Sequence, residues 1–191
     1  MTNAGRHRCV LIRHGETEWS LDGRHTGRTD LPLLPQGEVQ ARALAEIMAP
    51  YSFAAVLTSP LRRAKDTSAL AGLDGAEEEP DLAEWDYGAY DGVTTEQIRA
   101  VRPGWNIFDD GALDGETVEE VGKRVDRVIE RVRAVDGDVA CVAHAHVLRV
   151  LAARWVGLPA DGGRYLTLRP ASYSELGWER ENPVIVRWNL R

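Results

Sequence analysis

The stretch Cys9-Val-Leu-Ile-Arg13-His14-Gly15 determines the fold class and indicates where the chemistry lies. Its four apolar residues predict a short buried strand, and that strand ends directly at an arginine and a histidine. Val139-Ala-Cys-Val-Ala-His144 repeats the pattern of an apolar run that ends in a histidine. Phe53–Leu57 predicts a third buried strand, which runs into Thr58 and Ser59. Because ligands bind beyond the carboxyl ends of strands in open α/β sheets, these polar residues are candidates for one site.

Amphipathic stretches alternate with these strands, which is typical of an α/β layered fold. The strongest helical periodicity runs from Val118 to Val132, where β-branched apolar residues recur at helical spacing. Two other helices are predicted at Gly37–Met48 and Val147–Val156, and a weaker one at Thr95–Val101. A further helix is predicted to start at a cap formed by Ser59 and Pro60 and to end near Leu70. Strands are expected in the tail near Tyr165–Leu168, Tyr173–Leu176 and Val184–Val186. The rest of Glu77–Leu113, including a solvated Glu77–Glu79, predicts mostly loop over one edge of the sheet.

Length and charge limit the class of protein. At 191 residues the chain fits a single domain, residues 1–191, whose core is large enough to need no disulfide or metal. The net charge of -7 argues against a nucleic-acid or anionic-membrane partner. Cys9 and Cys141 lie inside apolar runs, as buried cysteines of a reducing compartment do. The terminus from Met1 to Arg8 is polar, and no apolar run approaches the ~20 residues that span a bilayer, so a cytoplasmic protein is expected.

Two arginines follow the third predicted strand. Arg62 and Arg63 lie in the first turn of a helix, and helix side chains tilt toward the amino end, so one of them can reach back over the sheet edge. Histidines, arginines and free helix-start amides together suit a phosphate group, because guanidinium groups and helix amino termini both favour anions. Arg13 and His14 are adjacent and would point to opposite faces of a straight strand. Both reach one pocket only if the chain leaves the pleat there, which Gly15 favours.

Leu11-Ile-Arg-His-Gly-Glu-Thr-Glu-Trp-Ser20 resembles the phosphohistidine signature of the histidine phosphatase superfamily, also called the phosphoglycerate-mutase-like superfamily. A substrate loop, a second-arginine motif, an acid-bearing motif and a second-histidine motif follow in family order, over nearly the whole chain. These motifs are Gly23-Arg-His-Thr-Gly27 with Asp30-Leu-Pro-Leu33, Thr58-Ser-Pro-Leu-Arg-Arg-Ala64, Leu82-Ala-Glu84-Trp-Asp-Tyr-Gly88 with Gly92, and Ala143-His144-Ala-His-Val-Leu148. Ser20 stands where many relatives have Asn, and Ala145 where they have Gly. The substrate-loop and acid motifs most resemble actinobacterial acid phosphatases of this family.

The resemblance implies a three-layer α/β/α sandwich with a mostly parallel central sheet. It also implies a phosphomonoesterase that acts on small phosphorylated metabolites without a metal or cofactor. His14 would attack phosphorus and form a phosphohistidine, while Glu84 would protonate the leaving alkoxide and then activate water. Arg13, Arg63 and a protonated His144 would stabilise charge on the phosphoryl oxygens. The residues implied to contact substrate are Arg13, Ser20, Thr26, Gly27, Arg63, Glu84, His144 and Ala145.

Two other functions use the same residues. One is a cofactor-dependent phosphoglycerate mutase, and the other is a non-catalytic regulatory domain that binds a phosphorylated ligand. The resembling mutases carry a long basic insertion after the acid motif, whereas residues 85–122 here contain only Arg99 and Arg102 among many acidic residues. This cover is therefore expected to offer little to hold a second anionic group and to admit water.

The sequence also bears on two further chemistries, a metal site and a cysteine nucleophile. His144 and His146 could form a metal pair if both lay on one face of a strand. Cysteine-dependent phosphatases need an arginine six residues after the cysteine, and neither cysteine here has one. The sequence leaves open the substrate, the roles of His25 and His146, and the oligomeric state. One possible arrangement is a homodimer formed through an edge strand of the tail.

Overall fold

One mixed sheet of six strands organises the fold in this computed structural model, which describes residues 7–191. Most of the polar terminal stretch therefore lies outside the described residues. The strands are β1 (Cys9–Arg13), β2 (Phe53–Thr58), β3 (Glu77–Glu78), β4 (Asp138–Ala143), β5 (Tyr173–Glu179) and β6 (Asn182–Leu190). They lie in the order β3-β2-β4-β1-β5-β6, in which the first four are parallel and β5 and β6 are antiparallel to their neighbours. The expected mostly parallel central sheet is confirmed.

Helices cover both faces of this sheet and complete the three layers. They are α1 (Glu18–Asp22), α2 (Pro35–Met48), α3 (Arg62–Leu70), α4 (Thr95–Val101), α5 (Ile107–Asp110), α6 (Val118–Ala134) and α7 (Ala145–Trp155). Side chains alternate between the two faces of a strand, so Cys9 and Leu11 pack with α6 and α7, and Val10 and Ile12 pack with α2 and α3. Within residues 7–191, no helix is both long and apolar enough to span a membrane.

The three strands at the centre of the sheet end at one edge. Arg13 pairs in register with Ala143, and Thr58 pairs with Val142. The residues that directly follow β1, β2 and β4 are therefore neighbours, which brings the predicted strand-end histidines to one place.

Helix α3 begins later than the sequence suggests. The predicted cap of Ser59 and Pro60 is wrong, because the helix starts at Arg62 after an extended Leu61 that makes no side-chain cap. The Ser59 hydroxyl instead accepts the Leu61 N–H at 3.3 Å and contacts the His144 ring at 2.7 Å. Ser59 thus belongs to the site at the sheet edge.

The tail and the cover differ from the sequence prediction in detail. The predicted strand at Tyr165–Leu168 is wrong, because a 3-10 helix occupies Ala160–Tyr165. The predicted strands near Tyr173 and Val184 are confirmed as β5 and β6. The prediction of a solvated loop at Glu77–Glu79 is incomplete. Glu77 and Glu78 form the short edge strand β3, and the Glu77 carboxylate pairs with Arg131 at 2.5 Å. The helix predicted over Thr95–Val101 is confirmed as α4.

Candidate active site

His14 lies in a cleft of about 360 Å3 at the carboxyl edge of the sheet. Its backbone N–H donates to the Ala143 carbonyl at 3.0 Å, which fixes the residue just beyond β1. Ring atom Nδ1 lies 2.6 Å from the Gly15 carbonyl oxygen, which only accepts, so Nδ1 carries the proton and Nε2 carries the lone pair. Burial and the positive charges of Arg63 and Arg13 lower the pKa of His14 well below its ordinary value. The ring is therefore neutral, with a nucleophilic Nε2, at neutral pH.

A close approach of two glycines turns the chain out of the sheet behind His14. The Gly15 N–H donates to Thr67 Oγ1 at 3.0 Å, and a Cβ on Gly15 would lie 2.4 Å from the Gly37 carbonyl oxygen in α2. Only glycine fits this contact. Because the chain leaves the pleat here, Arg13 and His14 both line the same cleft, although they are adjacent in sequence.

Arg13 presents an unsatisfied donor beside the cleft. Its Nη1 donates to the Leu168 carbonyl at 2.5 Å, whereas its buried Nε has no hydrogen-bond partner in the described part of the chain. Burial lowers the pKa of Arg13 to about 10, against the opposing negative charge of Glu84, so the group stays cationic at neutral pH. A buried donor without a partner costs free energy, so the guanidinium of Arg13 is held in the cleft wall with one of its donors unsatisfied.

Arg63 and His144 lie behind His14, and neither is among the residues that line the cleft. Both are fully buried, Arg63 Nε donates to His144 Nδ1 at 3.1 Å, and His144 Nε2 donates to Ser59 Oγ at 2.7 Å. Since Nδ1 accepts a hydrogen bond, the His144 ring is neutral, and burial beside Arg63 lowers its pKa well below the ordinary value. The expected protonated His144 is therefore not the form present here. The two histidine rings are 5.1 Å apart between centroids.

The other donors of Arg63 hold the predicted substrate loop. Nη1 donates to the Thr29 carbonyl at 3.0 Å, and Nη2 donates to the carbonyls of Thr26 and Gly27 at 3.0 and 3.1 Å. Asp91 completes the support by accepting the Gly27 N–H at 2.6 Å. Gly27 is thus engaged on both sides and does not line the cleft. Its contact with a substrate stays a prediction, as does that of Arg63.

Glu84 lines the cleft with its carboxylate held by three backbone N–H groups. Oε1 accepts from Trp85 and Val147, both at 2.9 Å, and Oε2 accepts from His146 at 3.1 Å. Two of these donors belong to the first turn of α7, so the amino terminus of a helix faces the carboxylate. The side chain is 8% exposed, which leaves it open to the cleft in a fixed orientation. A carboxyl group held in this way can exchange a proton with a leaving group.

Three other predicted contact residues line the cleft, namely Ser20, Thr26 and Ala145. The Ser20 hydroxyl donates to the Thr17 carbonyl at 2.9 Å as part of the capping arrangement of α1, a helix that the sequence reasoning missed. Ala145 is the first residue of α7, which explains its place beside Glu84.

Sequence reasoning also missed the aromatic side of the cleft. Tyr87 Oη lies 2.7 Å from His146 Nδ1, and the His25 ring centroid lies 4.7 Å from that of Tyr87. Burial lowers the pKa of His25 to about 4 and that of His146 well below its ordinary value, so both rings are neutral at neutral pH. The sequence did contain a signal for Tyr87, because this residue lies in the acid motif, three residues after Glu84.

Arg124 anchors the loop that carries Glu84. Its Nη1 donates to the carbonyls of Asp81 and Ala83, both at 2.7 Å, and its Nε donates to Glu116 at 2.8 Å. The acid loop is therefore tied to α6. The sequence did contain a signal for Arg124, because this charged residue lies next to Val125 in the apolar stripe of α6. Consistent with that position, Arg124 is only 8% exposed.

The metal-pair alternative does not match the geometry. Helix α7 begins at Ala145, so His144 and His146 do not share a strand face, and their rings bond to Ser59 and Tyr87 instead. Among residues 7–191, no three His, Cys, Asp or Glu side chains are placed to hold a metal ion.

Comparison with known proteins places this geometry in a family. The model of the histidine phosphatase superfamily (branch 1) matches residues 9–191. This chain belongs to the histidine phosphatase superfamily. An acid phosphatase of Mycobacterium tuberculosis is 40% identical over 177 residues, which cover 91% of this chain and 87% of the relative. A sedoheptulose 1,7-bisphosphatase of Saccharomyces cerevisiae is 36% identical over 184 residues, which cover 79% of this chain and 68% of the relative.

The fold is shared with proteins of known structure. A solved structure of an open reading frame product of Mycobacterium tuberculosis matches with a TM-score of 0.93 and 38% identity, covering 96% of this chain and 97% of that chain. The resemblance of the five motifs to histidine phosphatases is thereby confirmed, together with the phosphoglycerate-mutase-like α/β fold. Both relatives carry phosphatase names, which supports phosphatase activity for this chain.

Proposed function

We propose that this chain is a metal-independent phosphomonoesterase of the acid phosphatase type that works through a phosphohistidine on His14. The observation that carries the proposal is the hydrogen bond from Nδ1 of His14 to the Gly15 carbonyl, because it leaves the Nε2 lone pair free. The substrates would be small phosphorylated metabolites, since the cleft of about 360 Å3 is in the range for small ligands.

In the first step, Nε2 of His14 attacks phosphorus and the bond to the leaving oxygen breaks. The form of the enzyme that reacts carries a proton on Glu84, and Glu84 gives this proton to the leaving oxygen, so the product leaves as a neutral alcohol. The histidine ring becomes positively charged, and the Gly15 carbonyl stabilises the proton at Nδ1. The guanidinium of Arg13, which lines the cleft, donates to a phosphoryl oxygen, while Arg63 adds positive charge from behind His14.

In the second step, a water molecule attacks phosphorus and Glu84 accepts its proton. The bond between phosphorus and Nε2 breaks, which returns His14 and Glu84 to their starting forms and releases inorganic phosphate. The arginines supply the positive charge that a metal ion supplies in other phosphatases. We therefore expect no requirement for a divalent ion.

Phosphate release from p-nitrophenyl phosphate tests the proposal. The purified protein should release phosphate at the same rate in buffer and in EDTA. Binding of the ester without turnover would identify a regulatory phospholigand-binding domain instead. Loss of the rate in EDTA, with recovery on adding a divalent ion, would contradict a metal-independent mechanism.

A further inference from the structure

A second recess of about 200 Å3 adjoins the cleft of His14. The two spaces share four lining residues, which are His25, Thr95, His146 and Arg149. A leaving group attached to a phosphate at His14 would therefore extend along the Tyr87 and His146 side of the cleft toward the recess.

The recess is lined by three arginines and by no Asp or Glu side chain. Arg164 is already neutralised, because it pairs with Asp109 at 2.5 Å. Arg99 lies exposed and donates to the Trp105 carbonyl at 2.8 Å. The neutral histidines His25 and His146 add no charge to the walls. Arg149 differs from the other two arginines because it lines both the cleft and the recess.

Arg149 is a partly buried cation without a carboxylate within ion-pair distance in the described part of the chain. Its Nε donates to the Gly163 carbonyl at 3.0 Å and its Nη2 donates to the Arg164 carbonyl at 3.3 Å. The guanidinium lies over the Phe108 ring, with Cζ 4.8 Å from the centroid. These contacts fix the plane of the group while leaving Nη1 without a hydrogen bond among residues 7–191. A fixed guanidinium with a free donor is suited to a phosphate or carboxylate oxygen.

We propose that Arg149 binds a second anionic group of the substrate, so that preferred substrates are phosphomonoesters whose leaving group itself ends in a phosphate or a carboxylate. The proposal rests on the phosphomonoesterase function above. The cover, residues 85–122, contributes few cations, and the cation proposed here comes instead from α7, one turn after His146.

The test compares substrates that differ only in their far end. Propanediol, butanediol and hexanediol bisphosphates are compared with propyl, butyl and hexyl phosphate, and ω-phosphorylated alkanoic acids supply the carboxylate series. The wild type should prefer at least one substrate with a second anionic group over its alkyl partner by about 10- to 100-fold in kcat/KM, the range for one hydrogen bond to a charged group. A higher kcat/KM for the bisphosphates identifies phosphate as the second group, and a higher kcat/KM for the acids identifies carboxylate.

Variants at two arginines of the same recess assign the preference. Arg149→Gln should lower the ratio of kcat/KM between the two substrate types to near one, and Arg149→Lys should keep part of it. Arg164→Gln is the matched control, because its charge is already paired with Asp109, and it should keep the wild-type ratio. Circular dichroism checks that each variant folds.

The outcomes separate this proposal from the one on which it rests. Wild-type hydrolysis of p-nitrophenyl phosphate with no preference for any substrate that carries a second anionic group would overturn the second-anion site and leave the phosphomonoesterase function intact. Equal loss of the preference in Arg149→Gln and Arg164→Gln would overturn the assignment to Arg149. Absence of hydrolysis of every ester would refute the phosphomonoesterase function itself.

Discussion

Replacing Glu84 by glutamine removes the proposed proton donor with a minimal change of shape. The amide cannot protonate a departing alkoxide, so substrates with poor leaving groups should suffer most. General acid catalysis contributes about 10²- to 10⁴-fold, and we expect a loss of kcat in this range for alkyl phosphates. p-Nitrophenyl phosphate should lose far less, because its phenolate departs with little help.

The same substitution should lower stability by an amount that the contacts of Glu84 predict. In the wild type, all three N–H groups around the carboxylate find an acceptor oxygen. Glutamine has one oxygen, which can still accept from Trp85 and Val147, but its NH₂ group would then face the His146 N–H. One buried donor loses its acceptor, which costs about 1–3 kcal/mol in the free energy of unfolding. Urea unfolding measures this loss.

Glu116→Gln is the matched control for Glu84→Gln. Glu116 is also a carboxylate of the acid-loop region, but it pairs with Arg124 at 2.8 Å and does not line the cleft. The control should lose stability while keeping the ratio of the rates on alkyl and aryl phosphates. Steady-state kinetics on both substrates gives that ratio. Equal rate losses on the two substrates in Glu84→Gln would refute the role of Glu84 as the acid and leave it a structural carboxylate.

Three other predictions address the nucleophile, the buried histidines and the reaction type. His14→Ala should abolish phosphate release and still fold, because His14 lies beyond the end of β1; turnover at about a tenth of the wild-type rate would contradict its role. Burial lowers the pKa of His25 to about 4, so on acidification the unfolded chain takes up a proton at this histidine before the folded chain does. The free energy of unfolding, measured in urea, should therefore fall between pH 6.5 and about 4, by about 3 kcal/mol from His25 alone. His25→Asn should flatten that dependence. With 3-phosphoglycerate and catalytic 2,3-bisphosphoglycerate, phosphate release should outrun formation of 2-phosphoglycerate, because a short cover admits water; faster isomerisation would indicate a mutase.

The central architecture could be predicted from the sequence because apolar runs and their endings follow local rules. The runs around Cys9, Phe53 and Val139 are long enough to be buried strands and too short to be helices. Their common edge then follows from the packing of parallel strands. The motif resemblance assigned candidate roles to the residues at that edge, and the structure brings His14 and Glu84 to one cleft.

The parts that sequence reasoning missed depend on tertiary contacts. Ser59 has the residue type of a helix cap, but its hydroxyl is engaged by the buried His144 ring, and the helix starts later. Arg149 lies in the apolar run of α7, and its approach to the cleft depends on carbonyls supplied by the turn at Gly163. The neutral form of His144 likewise follows from the direction of the Arg63 hydrogen bond. No periodicity or spacing reports such contacts.

Trapping the phosphorylated enzyme shows whether the reaction passes through a phosphohistidine on His14. The wild type is mixed with labelled substrate, quenched in alkali, which preserves phosphohistidine, and analysed by peptide mass spectrometry and phosphorus NMR. We expect one phosphoryl group on Nε2 of His14, because Nδ1 is held by the Gly15 carbonyl, and none in His14→Ala. A phosphoryl group on any other residue, or on Nδ1 of His14, would contradict it.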